Sequence, residues 1–301
     1  MNNLLLAPAP PRRSRLSFVN VTRHAWNLSP IVLAHVGGVA ALFISSSWRD
    51  WALVFAFVYF RGLFVAAGYH RYFSHRSFKI SRVGQFIMAA CCCANLQQGP
   101  LWWAVHHRHH HRHSDDPGDV HSPYHGGFFW AYCGWLFVPL NPEWHYVSDL
   151  RKFPELVWLE RIWQLPGILL AAACWWIGGW QLLCIGFCVS ALISFHMSSV
   201  VNTVGHLIGS RRYDTPDHSR NSFLLALITM GEGWHNNHHH YPNTAQAGFF
   251  WWEIDGTFRV IWLLERLGII WDVRRVPEHK LAPSSASPIN LAIETLPTLS
   301  T

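Results

Sequence analysis

Charge is scarce in this chain. Asp, Glu, Lys and Arg make up 13% of its 301 residues, against about a quarter in an ordinary soluble domain. Half of the chain is apolar, with 18 Trp and 19 Phe, which excludes a plain soluble domain. The mean hydropathy of +0.12 is nevertheless low for a chain buried in lipid throughout. A membrane part joined to a sizeable water-facing part satisfies both. There is no CxxC pair and no disulfide-like spacing. The seven cysteines (Cys91, Cys92, Cys93, Cys133, Cys174, Cys184 and Cys188) sit in apolar surroundings and read as small buried hydrophobes, compatible with a reducing compartment. The net charge of +6 comes without a basic stripe, an RNA-binding signature or zinc-finger spacing, so no nucleic-acid partner is expected. No long-period repeat points to a solenoid. The start, "MNNLLLAPAPPRRSR", has too short an apolar stretch for a signal peptide and places its arginines after it.

Four stretches approach the roughly 20 apolar residues that cross a bilayer as a helix: 30–48, 51–69, 164–179 and 181–203. Arg49 and Asp50 turn the first pair, and Gly178, Gly179 and Trp180 the second. Trp48, Trp51, Trp175, Trp176 and Trp180 flank the turns, and such side chains favour the headgroup layer. Of the 23 Lys and Arg, four fall in 1–30, nine in 70–163 and eight in 204–301. The positive-inside rule then puts both termini and the central region in the cytoplasm. Arg61 lies inside the second stretch, where a charge is a functional candidate by default, with snorkelling or pairing inside the bundle as the other readings. A fifth apolar run, 83–103, reads as an interfacial or half-buried helix. Were it a span, the histidines before and after it would lie on opposite membrane faces.

Histidine is abundant, with 21 in all. Three clusters stand out: "HRYFSH" (70–75), "HHRHHHRH" (106–113) and "HNNHHH" (235–240). A His-rich tract alone is only a compositional hint of metal binding. The second and third clusters share a His-x-x-His-His pattern, however: His107, His110, His111 and His235, His238, His239. Positions i, i+3 and i+4 share one helix face. His70 and His75 follow the second stretch, His206 follows the fourth, and Asn202 lies four residues before His206. Nine imidazoles at one depth suggest two metals, since one ion takes four to six ligands. Imidazole suits Fe, Zn, Cu and Ni alike. Asp115, Asp116, Asp119 and Glu232 are near enough in sequence to accept the second ring N–H of ligating histidines. The ferritin-like set of two Glu-x-x-His motifs with two further Glu is missing, since Glu232-Gly233-Trp234-His235 is the single match. His106, His109 and His113 form a competing stripe, about 100° round the same helix; the match with 235–239 favours the 107/110/111 register.

"GYHRYFSHRSF", "HRHHHRHSD", "VNTVGH" and "GEGWHNNHH" resemble the three histidine boxes and the connecting Asn/His motif of the membrane-bound fatty acid desaturases. The resemblance is closest to the Δ9 acyl-CoA (stearoyl-CoA type) family, in its bacterial form, and runs from about residue 30 to "GIIWDVRR" at 268–275. It implies an all-α integral membrane protein, with four transmembrane helices under a cytosolic helical cap that holds a di-iron site. The expected divisions are a cytosolic N-terminal segment (1–29), a transmembrane hairpin (30–69), a cap segment with boxes one and two (70–163), a second hairpin (164–203), a cap segment with box three (204–280) and a flexible tail (281–301). By resemblance His70, His75, His107, His110, His111, His206, His235, His238 and His239 bind iron, and Asn202 holds a metal-bound water. His106, His109, His113 and His240 fall outside the ligand pattern. The chain departs from animal members at His106, where they often have Asp, and from many relatives at Tyr132, where they have His.

The implied reaction takes a saturated acyl chain, O2 and two electrons to a cis-alkene and water, with Δ9 as the expected position. An unactivated methylene has no proton that a side-chain base could take, so a redox cofactor has to carry this chemistry. The implied cofactors are two Fe2+ ions, with no separate acid or base assigned. No His-Pro-Gly-Gly segment of a fused cytochrome b5 is present, so electrons are expected from an external ferredoxin or cytochrome b5 with its reductase. Acyl-CoA, acyl-ACP (acyl carrier protein) and phospholipid all remain as carriers. The expected location is the bacterial cytoplasmic membrane, with the active site facing the cytoplasm. A His-rich di-iron hydroxylase or ketolase is the sibling alternative; a membrane metal transporter or sensor is the alternative from another class.

Overall fold

The computed structural model describes residues 18–282. The residues before 18, and the tail from 283 onward that was expected to be flexible, lie outside the described residues. Helix α1 is Phe18–Ala41, and α2 is Trp48–Leu63, continued by a π-helical stretch, Phe64–Ser74. Helices α3 (Arg82–Cys93) and α4 (Pro100–His113) follow, then the short α5 (Pro123–Gly126), α6 (Phe128–Tyr132) and α7 (Pro154–Arg161). Helix α8 (Gln164–Gln181) runs through a second π-helical stretch, Leu182–Val189, into α9 (Ser190–Leu207). Last come α10 (Phe223–Ile228), α11 (His235–His240) and α12 (Gly256–Arg266). Two short strands, β1 (Lys79–Ile80) and β2 (Ile270–Trp271), pair antiparallel with Lys79 opposite Trp271. This pairing ties the end of the first histidine box to the C-terminal segment.

The expectation of four transmembrane helices is not met. Among the described residues two helical segments are long and apolar enough to cross a membrane, Trp48–Ser74 and Gln164–Leu207. The first expected stretch falls in α1, whose apolar run is confined to 31–41, about 16 Å of helix against a hydrocarbon core of about 30 Å. The third and fourth expected stretches lie in one helical segment of 44 residues, bent where Gly178 and Gly179 leave helical torsions. The all-α character and the His-rich region stand. The fifth apolar run breaks into α3, 12 residues long, and the first turns of α4. Ser81 caps α3 by accepting from Gly84 N, and Val83 and Ile87 on it are exposed.

One buried cluster holds the site together. Tyr69, Phe73, Val105, Leu150, Leu156, Ile261 and Ile270 are almost wholly buried and pack the π-helical stretch, α4, α7 and α12 against one another. Each large apolar side chain buried this way contributes about 1.5–3 kcal/mol, and truncating Phe73 to Ala would cost about 3–5 kcal/mol. A second cluster, around Ile31, Ala34, Cys174, Phe187 and Ala191, joins α1 to the apolar segment 164–207. All seven cysteines are free; five are buried, while Cys91 and Cys133 are half-buried.

Arg61 has a structural task. Its Nη1 donates to Ala94 O at 2.6 Å, its Nε to Ser190 Oγ at 3.0 Å, and its guanidinium lies 4.6 Å from the Phe187 ring centroid. The cation sits at the C-terminus of α3, where carbonyls without helical partners favour positive charge.

Candidate metal centre

His70 and His75 are five residues apart, about 140° apart around an α-helix. The π-helical stretch removes that mismatch, since its i→i+5 bond stacks every fifth residue; His75 N donates to His70 O at 3.2 Å. His107, His110 and His111 share a face of α4, and His235, His238 and His239 a face of α11. Asn202 and His206 are one turn apart on α9.

These elements bring all nine histidines into two groups. His70, His75, His107, His111 and His238 form one; His110, His206, His235 and His239 form the other; in each, one ring nitrogen per residue lies within 4.8 Å of the rest. The approaches are between Nε2 atoms: His70–His238 2.9 Å, His75–His107 2.8 Å, His107–His111 3.0 Å, His111–His238 2.9 Å and His206–His235 3.0 Å.

Carboxylates fix several of the outer nitrogens. Nδ1 of His110 meets Asp119 at 2.9 Å, that of His206 meets Asp115 at 2.8 Å and that of His239 meets Asp217 at 2.5 Å. His70 Nδ1 contacts Glu232, which also accepts from Arg71 Nη2 at 2.7 Å. Each carboxylate orients a ring so that Nε2 points inward, and makes it a better donor. Three of these four were expected acceptors. Asp116, expected with them, is exposed. Asp217 was missed: it stands 22 residues before His239 in "TPDHS", with nothing local to mark it. Backbone and hydroxyl donors from Ser219 hold it in place.

Electrostatics favour the neutral ring at six of the nine histidines. Burial first, then the neighbouring imidazoles, hold His75, His107, His111, His235 and His238 well below the usual histidine range. Burial also takes His239 down to about 4, against the pull of Asp217. At His110 burial lowers the value, but Asp119 more than offsets it. Among the acceptors, burial works against ionisation at Glu232, but His70 and Arg71 outweigh it and hold the carboxyl at about 2.

The set fits metal ions. Ligation needs deprotonated imidazole. Imidazoles at about 2.0–2.1 Å from one ion stand about 2.9 Å apart at right angles and about 3.4 Å apart at the tetrahedral angle. The four short spacings in the five-histidine group match the former, so that group suits an ion of five or six ligands. His239 Nε2 is buried with no hydrogen-bond partner among the described residues, as a donor aimed at an ion would be.

The histidines outside the pattern are held elsewhere. His106 bonds Trp102 O at 2.8 Å and packs against that indole at a tilt of 38°. His109 packs against His113 and Tyr146, and His240 stacks on Tyr213 with centroids 3.9 Å apart. His121, which the sequence did not single out, lies 4.5 Å from the His110 ring.

A largely apolar cavity ends on this centre. Ile31, Val65, Ala66, Trp103, Trp135, Leu136 and Phe195 line it, together with His70, His107, His235 and Asn202. Two histidine groups able to hold metal ions beside a largely apolar cavity, in a chain with two helical segments long and apolar enough to cross a membrane, suit a membrane-associated oxidoreductase of lipid chemistry. Residues 46–262 match the fatty acid desaturase family. The chain is 37% identical over 243 residues to the sn-2 palmitoyl-lipid 9-desaturase of Nostoc sp. (strain 36), covering 76% of this chain and 84% of that one. It is 35% identical over 267 residues to the acyl-CoA C20 Delta5-desaturase of Anemone leveillei, covering 85% of each. It is 34% identical over 238 residues to the hex-5-enoyl-[acyl-carrier protein] acetylenase of Moorena producens, covering 72% of this chain and 74% of that one. The chain belongs to the fatty acid desaturase family, and it is a desaturase-type oxidoreductase.

Proposed function

We propose that this enzyme introduces a cis double bond at Δ9 of a saturated acyl chain. The observation that carries the reading is the apolar cavity ending on nine converging imidazoles. His70, His75, His107, His111 and His238 would hold one iron, and His110, His206, His235 and His239 the other. Asn202, which lines the cavity one turn before His206, would hold a metal-bound water. Two irons bound there would supply the O2-dependent chemistry by which –CH2–CH2–, O2, two electrons and two protons become –CH=CH– and two waters. The cavity wall does the rest. It excludes water and holds the chain so that one pair of adjacent carbons faces the centre, and proximity of that kind selects the reacting bond. Electrons come from an external ferredoxin or cytochrome b5 with its reductase. The centre sits at the cytoplasmic face of a bacterial membrane.

The test is expression in a host lacking this activity, with product analysis. A new monounsaturated chain with its bond at C9, and about two iron atoms per purified chain, are expected. Hydroxylated acyl chains instead would mean a sibling chemistry, and full activity in iron-free protein would overturn the metal assignment. Relatives act at Δ9 on sn-2 palmitoyl-lipid, at Δ5 on acyl-CoA and on an acyl-carrier-protein substrate, so the bond position is read directly from cleavage products.

A further inference from the structure

We propose that α10, the loop 251–254 and α12 form one face that seats in the headgroup and upper acyl layer of the leaflet on the metal-centre side, its partner being the lipid interface. Single exposed apolar residues are ordinary on a protein surface, whereas a contiguous patch marks an interaction site. Here Leu224 on α10 is 69% exposed and Trp251 in the loop 84%. Phe223, Leu227, Ile228 and Ile254 beside them are exposed too. The pieces are joined. Trp234 packs by Phe223, and its Nε1 donates to Ile254 O at 2.9 Å. Just past α10, Met230 O accepts from Thr257 N at the start of α12 at 3.0 Å. Helix α12 has an outer face of its own. Arg259, Trp262, Leu263, Arg266 and Leu267 are exposed, at the i, i+3, i+4, i+7 and i+8 spacing of one helix side; Thr257 and Ile261 are buried. Trp and Leu turned outward with two arginines make the composition of a helix lying in an interface. Arg266 lies 5.4 Å from the Trp262 ring centroid. Such a guanidinium reaches up to the phosphates on its apolar stem while the indole sits below it.

Lipid is the occupant because this face is continuous with the two segments long and apolar enough to cross a membrane. Helix α10 packs on α9, and α12 on the π-helical stretch Phe64–Ser74; these are the ends of the segments Gln164–Leu207 and Trp48–Ser74. A Cβ on Gly62, in the latter segment, would lie 3.3 Å from Met230 Sδ, so the chain just past α10 abuts that helix. Ile208, which follows Leu207, is exposed as well. Lipid around the two segments therefore reaches α10 and α12 directly. The consequence is for the metal centre. Thr229 and Glu232 line the cavity, and box three opens at His235, a short loop beyond α10. Seating α10 in the interface fixes the height of box three over the hydrocarbon, whichever acyl bond is oxidised.

The test places a nitroxide on the full-length protein in nanodiscs of phosphatidylcholine and phosphatidylglycerol. The labelled variants are Leu224→Cys and Leu263→Cys, with Lys152→Cys and Asp214→Cys as water-facing controls. Power-saturation EPR compares collisions with O2, which concentrates in lipid, and with nickel ethylenediaminediacetate, which stays in water. The unsubstituted protein supplies the background from half-buried Cys91 and Cys133, and each variant is required to melt as the parent does. Leu227→Cys and Leu267→Cys, on the same two faces, replace a variant that does not. O2 collisions should exceed chelate collisions at both leucine positions, as for side chains about 5–10 Å into the interface. The order should reverse at Lys152 and Asp214. Chelate collisions in excess at either leucine position overturn the proposal. Few collisions with both reagents there, as under a protein partner or a second copy of the chain, overturn it too.

Discussion

His109 and His110 are neighbours on α4 with different surroundings. His110 gives Nδ1 to Asp119 and joins His206, His235 and His239, whereas His109 packs on His113 and Tyr146. The same contrast separates His239 from His240. His110→Ala and His239→Ala should each lose iron and abolish desaturation, while His109→Ala and His240→Ala keep their iron. Iron per chain, measured by plasma emission, decides the matter; an empty site in His109→Ala beside a filled one in His110→Ala would reverse the register. Asp217 offers a finer test. It holds His239 by Nδ1, and removal of such a partner costs about 10–100-fold in metal affinity. Asp217→Ala should therefore release iron to a chelator at concentrations about 10–100-fold lower than the parent does. Unchanged release would show that His239 is oriented by packing alone.

At the scale of elements, α4 depends on a carboxylate beneath its N-terminus. Glu160 Oε2 accepts from Leu101 N at 2.8 Å and from Trp102 N at 3.3 Å, satisfying donors that the first turn of a helix leaves unpaired. Gly99 leaves it room, since a Cβ there would lie 2.2 Å from that oxygen. Burial pushes the Glu160 carboxyl up to about 7, although the two N–H bonds pull the other way. The unfolded chain releases this proton near its ordinary value of 4.5 and the folded chain only near 7. Its contribution is therefore most favourable below about pH 4.5 and is lost as pH rises to about 7. Glu160→Gln keeps an accepting oxygen without the charge. Its melting temperature minus that of the parent should grow from pH 5 to pH 8; a difference constant with pH would refute the shifted carboxyl. Because both proteins share every other ionisation, the comparison isolates this one.

The spacing of boxes two and three was readable because an α-helix repeats every 3.6 residues, so i, i+3 and i+4 announce a shared face. Box one was readable only as a motif: the five-residue gap from His70 to His75 makes sense on a π-turn, which no residue pattern advertises. Asp217 and His121 reach the centre through tertiary folding, leaving no local mark. Counting spans from apolar runs failed at α1, where the helix stops at Ala41 although Leu42, Phe43 and Ile44 follow, and at Gly178 and Gly179, where two apparent stretches are one bent segment.

For the whole molecule, the metal groups constrain topology more tightly than hydropathy does. His75, His107 and His111, from before the apolar segment 164–207, share one group with His238, from after it. On the proposed metal centre, segments 75–163 and 208–240 are expected on one membrane face. The Lys and Arg count predicts a cytoplasmic position for that face. Ser81, Lys152 and Asp214 are exposed and sample both segments. Single cysteines at these positions should react with an impermeant maleimide in inverted vesicles and stay unmodified in intact spheroplasts. The native cysteines, buried or half-buried, keep the background low. Reaction of Ser81→Cys and Asp214→Cys from opposite sides would break the shared site. Reaction of all three in spheroplasts would keep the site and turn the enzyme over in the membrane, placing the centre away from any cytoplasmic electron carrier.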